Sequence, residues 1–119
     1  MTQRKTIVQK RILDARYVRH VAATGFSWVD RRFVREGWID RLSLEESALY
    51  FFLVAVADKD GLSFYSDGRI ATTLKLDPER LSRARFRLLE LGLLAWDSPL
   101  YQVLEIPRTV AEGRLRSGR

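Results

Sequence analysis

The chain contains no cysteine, one histidine, one methionine and three prolines among its 119 residues. Without thiols there is no disulfide framework, no thiol nucleophile and no common zinc-finger pattern, and the composition suits a reducing cytosol. His20 stands alone between Arg19 and Val21. A histidine without Cys or His partners reads as a surface or hydrogen-bonded residue, so no metal is expected. The sequence also lacks a glycine-rich phosphate loop and any carboxylate pair at a recognisable catalytic spacing, so neither an enzyme nor a cofactor is expected. No N-terminal run resembles a signal peptide. The longest uncharged apolar stretch, Ala48 to Ala57, is about half of what a bilayer requires. The expectation is one soluble cytoplasmic domain, nucleoid-associated, with no membrane partner.

What the chain has in excess is positive charge. A net charge of +6 and a pI of about 10.2 point to an acidic partner, nucleic acid first. The charge is uneven. Residues 1–36 sum to +6, residues 37–107 to −3 and residues 108–119 to +3. A long-range field therefore comes from the two ends, while the central part gathers its basic residues on one segment. Arginine outnumbers lysine, as in proteins from GC-rich bacterial genomes.

That segment runs from Asp77 to Gly92. Asp77-Pro78 is a strong helix start, because Asp caps the orphan N–H groups of the first turn and Pro at the first helical position costs no intrahelical bond. Leu81, Ala84, Leu88 and Leu91 recur at spacings of three and four, giving one apolar stripe, and Gly92 occupies a C-cap position. Arg80, Arg83 and Arg87 form a second stripe about 100° away by the helical period, with Arg85 as a fourth charge. Only Glu79 and Glu90 oppose them within the helix. A solvated face is the plain reading; guanidinium groups suited to phosphates and guanine edges are the functional one. Upstream, Ile70, Ala71 and Leu74 bury a short helix capped by Ser66 or Asp67, and Lys75-Leu76 makes the turn, which is a helix-turn-helix arrangement.

The remaining elements follow in order. Residues 1–27 form a basic arm, partly helical or disordered, containing Lys5 and Arg11, both candidate DNA contacts, with any helix expected within Thr6 to Ala23. Phe26 to Val34 reads as a short extended segment, an edge strand, with Trp28 and Trp38 as core or interface residues. Ser43-Leu44-Glu45-Glu46 matches the capping box and opens a helix, apolar all round from Ala48 to Ala57, expected to be buried on most sides. Asp58-Lys59-Asp60-Gly61 ends it as a turn, since the further oxygen ligands of a calcium loop are missing. Leu62 to Tyr65 reads as a short strand. Leu93 to Trp96 and Tyr101 to Ile106 flank Asp97-Ser98-Pro99 as a β-hairpin. Residues 108–119 read as a basic disordered tail.

The order is thus mainly α with a small β-hairpin, an α+β winged helix-turn-helix at 28–107 between the arm and the tail. The stretch RLSLEESALYFFLVAVADKDGLSFYSDGRIATTLKLDPERLSRARFRLLELGLLA resembles the N-terminal winged-helix domains of bacterial plasmid and phage replication initiators and related regulators. The resemblance implies duplex DNA as partner, with Arg80, Ser82, Arg83 and Arg87 nearest the major groove and Arg69 at the phosphates. It implies a transcriptional regulator or replication accessory factor. A homodimer is expected because one short helix reads few base pairs. The sequence departs from the pattern at the hairpin, where Leu93 to Ile106 carries no Lys or Arg, and at Arg85 and Phe86, which stand where an apolar and a polar residue are common. The alternative is a protein–protein interaction module on the same scaffold, using Phe86 or the hairpin.

Overall fold

The computed structural model describes residues 10–17 and 25–117. Lys5 and His20 lie outside the described residues, as does most of the expected arm helix. Within 10–17 there is a single 3₁₀ turn, Ala15–Tyr17, next to the Asp14 to Arg16 ion pair. Arg11 is exposed.

The expected strand at Phe26 to Val34 is not formed. Residues 25–30 are irregular and Arg32–Arg35 is a helical turn, α1. The reason is local. One carboxylate oxygen of Asp30 accepts the Arg32 N–H at 2.9 Å and the other holds its guanidinium at 2.7 Å. The Phe33 N–H bonds the Asp30 carbonyl at 2.9 Å. An Asp that satisfies the backbone this way competes with a sheet ladder. The turn drives Phe33 inward, where its ring stacks on Tyr50 at 4.6 Å. Trp38 is buried, but Trp28 is 73% exposed and belongs to no core.

Helix α2 (Leu44–Val56) starts at the expected capping box: Ser43 Oγ accepts from the Glu46 N–H and the Glu46 carboxylate accepts from the Ser43 N–H. Contrary to expectation it is buried on one face only. Leu49, Tyr50, Leu53 and Val54 enter the core, while Leu44 and Phe51 are exposed. The turn after it is built by Asp58, whose carboxylate accepts the N–H groups of Asp60 and Leu62 at 2.8 and 2.9 Å. Those hydrogen bonds, Leu62 first, hold the Asp58 carboxyl below its ordinary range. No cluster of metal-binding groups exists among the described residues.

Strand β1 (Leu62–Phe64) leads to α3 (Asp67–Leu74), a turn and α4 (Pro78–Glu90). Ser66, not Asp67, caps α3, and Lys75 ends it in the left-handed conformation with Leu76 buried behind. Asp77 caps α4 as read, accepting the Arg80 N–H at 2.8 Å. Its end is a Schellman motif: Leu93 N–H reaches the Leu88 carbonyl and Gly92 N–H the Leu89 carbonyl, with Gly92 at φ +75°. Strands β2 (Leu94–Asp97) and β3 (Leu100–Val103) form the hairpin, and the antiparallel sheet runs β1-β3-β2, pairing Ser63 and Trp96 with Tyr101. Leu49 and Leu53 of α2 and Leu81, Ala84 and Leu88 of α4 share one core with Ile70, Leu94 and Tyr101.

Of the expected disordered tail at 108–119, the described residues, through 117, are ordered. Helix α5 (Val110–Ser117) packs on α4. Thr109 Oγ1 accepts the Glu112 N–H at 3.0 Å, and Arg116 donates to the carbonyls of Gly92 (3.0 Å) and Glu105. The backbones meet so closely that a Cβ on Gly113 would stand 2.1 Å from the Leu91 carbonyl oxygen. Two glycines, Gly92 and Gly113, permit this approach. No helix among the described residues is long and apolar enough to cross a membrane.

Candidate nucleic-acid interface

The site is built on α4 because its opposite side is fixed. Leu81, Ala84 and Leu88 are fully or almost fully buried, so the helical period turns Glu79, Ser82, Arg83, Phe86 and Glu90 outward. Arg80 and Arg87 lie together along one edge of this strip, beside Arg83, each partly exposed. The structure therefore brings four expected residues, Arg80, Ser82, Arg83 and Arg87, onto one side of a rigid helix. Arg69 lies in the first turn of α3, exposed, with no ion pair to another described residue.

Every arginine of α4 faces a carboxylate. Arg80 Nε donates to Glu45 of α2 at 2.7 Å, and its Nη2 approaches the same oxygen. That bond raises the Arg80 guanidinium above its usual value. Arg83 stands 3.7 Å from Glu79, and Arg87 donates to Glu90 at 2.9 Å. The basic stripe is thus compensated one for one at its own surface. Such exposed pairs are worth only about 0–1 kcal/mol each. A phosphate can replace these carboxylates at little cost, so the compensation makes the stripe neutral at a distance without making it inert on contact.

Arg85 is a correction. Its guanidinium is buried: Nη1 donates to Asp67 Oδ1 at 2.7 Å and to the Tyr101 hydroxyl at 2.9 Å, and its Cζ lies 3.9 Å from the Trp96 ring centroid. Burial alone pushes this guanidinium down, but the hydrogen bonds to Asp67 and Tyr101 more than offset it. Arg85 ties α4 to α3 and to both hairpin strands and offers nothing to solvent. The signal was in the spacing. Position 85 is four after Leu81 and three before Leu88, on the apolar side.

The hairpin brings no cation to this side, since Leu94 to Val103 holds none and Asp97 is exposed. Arg11 makes no hydrogen bond or ion pair with another described residue. Compared with protein-family models, curated proteins and solved structures, the chain matches none.

Proposed function

We propose that this chain is a duplex DNA-binding protein of winged helix-turn-helix architecture, a transcriptional regulator or replication accessory factor, with α4 as the reading helix. The element order α2-β1-α3-α4-β2-β3 and the strand order β1-β3-β2 support the architecture. The observation that carries the functional reading is the outward side of α4. It is backed by a buried opposite side and lined by Arg80, Ser82, Arg83 and Arg87, and exposed Arg69 in the first turn of α3 is the expected phosphate contact. The hairpin, lacking Lys and Arg, contributes shape rather than charge. One 13-residue helix reads few base pairs, so two copies acting as a homodimer fit the size of a specific site.

The test is fluorescence anisotropy with a random duplex at two salt concentrations, comparing the full chain with the Arg80→Ala/Arg83→Ala/Arg87→Ala variant. Binding should weaken with salt at a log–log slope of about −0.9 per phosphate neutralised and should be lost in the variant. Binding untouched by the triple change refutes α4 as the reader. A second reading, a protein-interaction module, is favoured by one observation: Phe86 is 66% exposed in the middle of the same strip. It expects no duplex binding and a salt-insensitive partner.

A further inference from the structure

Away from α4 the described residues enclose a half-open cavity of about 620 Å³ between the segment at 26–32, the C-terminal half of α2, the turn after it and the residues following β3. That volume falls in the range of small-molecule sites, about 300–1,000 Å³. Its lining mixes aliphatic side chains, among them Val54, Leu104 and Ile106, with aromatic and charged ones. Phe26, Trp28 and Tyr50 present aromatic surface. Asp30, Asp58, Asp60 and Glu105 present carboxylates against only Arg32 and Lys59. Two of the four carboxylates are already engaged. Asp30 is held by Arg32, and Asp58 by two backbone N–H groups. Asp60 and Glu105 have no ion pair among the described residues, although Arg32 is near enough to attract Glu105, so the lining keeps a net negative charge within a protein of net positive charge.

A second observation points to a ligand. Tyr50 is only 3% exposed, yet its hydroxyl has no hydrogen-bond partner among the described residues. Buried polar groups are nearly always bonded. The hydroxyl is not among the atoms sealed from solvent, and the residue lines the cavity. At the rim, Ser27 Oγ donates to the Ala55 carbonyl at 3.1 Å, which ties the segment to α2 while Phe26 and Trp28 stay more than two-thirds exposed.

We infer that this cavity binds an aromatic organic cation, with its ammonium against Glu105 and Asp60, a polar hydrogen bonded to the Tyr50 hydroxyl, and its ring against Trp28 and Phe26. Charge favours that class over a neutral or anionic ring, and ring-on-ring contact with Trp28 and Phe26 adds to it. The inference stands apart from DNA binding, because the site and its test involve neither α4 nor nucleic acid.

The experiment is calorimetric titration of the full chain with propranolol, a naphthyl ether carrying a secondary ammonium, and with naphthoxyacetate as its anionic counterpart. The Trp28 indole N–H is followed by ¹⁵N NMR. The expected result is saturable one-to-one binding of the cation alone, a shift of the Trp28 signal, and a loss of about threefold to tenfold in Trp28→Ala, Tyr50→Phe and Glu105→Gln. Tyr50→Phe keeps the ring that stacks on Phe33, so it separates the hydroxyl from the fold. Absence of saturable binding, equal binding of the anion, or affinity unmoved by all three variants would each overturn the inference.

Discussion

Replacing Arg85 by Met tests whether the buried guanidinium holds α4 to the hairpin. The magnitude follows from what is left behind. Tyr101 is fully buried, so its hydroxyl loses its partner with no water to replace it, a cost of about 1–3 kcal/mol. The contact with the Trp96 face removes about 0.5–2 kcal/mol more. Asp67 adds little, since its side chain is half exposed and water takes over its oxygens. Burial of Met in place of a charge returns part of this, leaving a net loss of about 2–3 kcal/mol. For a chain of this length that lowers Tm by roughly 8–12 °C. The assay is thermal and urea unfolding of four proteins: wild type, Arg85→Met, Tyr101→Phe and the double variant. The double variant should recover much of the loss, because both polar partners are then gone together. An Arg85→Met protein within 0.5 kcal/mol of wild type, or strictly additive changes, would refute the reasoning.

Glu45→Gln should raise random-duplex affinity about twofold to fivefold by freeing Arg80, while lowering stability by less than about 1 kcal/mol; anisotropy and urea unfolding check the pair, and unchanged affinity would mean Arg80 never touches DNA. Gly113→Ala should cost about 1–3 kcal/mol and raise amide exchange across α5, because its Cβ meets the Leu91 carbonyl. Gly68→Ala, in α3 with nothing near its Cβ, should instead stabilise by about 0.4–1 kcal/mol. Burial, helped by Asp30, pushes the Tyr50 hydroxyl up to about 12. A group raised on folding contributes stability that is full below its unfolded value of about 10 and is lost as pH rises through the folded one. Unfolding between pH 10 and 12 should therefore show a decline that Tyr50→Phe lessens.

The helices α2, α3 and α4 and the hairpin were legible because their signals are local. A capping box at Ser43, Asp77-Pro78, Gly92 and a three-four apolar spacing each act within a turn or two of chain. The misreadings share a cause of the same local kind. At Phe26 to Val34 the aromatic and branched residues favoured a strand, but Asp30 and Arg32 closed a helical turn first. At 108–119 the composition favoured disorder, although Thr109 and Glu112 carried the capping spacing that starts α5.

The candidate interface divides along the same line. Periodicity alone put Arg80, Arg83 and Arg87 together and Leu81, Ala84 and Leu88 behind them, because a helix has one repeat whatever surrounds it. Pairing was beyond its reach. That Arg80 meets Glu45, 35 positions away, and that Arg85 meets Asp67, Tyr101 and Trp96 depends on how α2, α3 and the hairpin pack around α4. The cavity beside Tyr50 depends on packing too, since its walls come from segments remote in the chain. Local sequence determined which faces the elements would have; only the tertiary packing decided which charges those faces would meet, because electrostatic partners are set by distance in space and not along the chain.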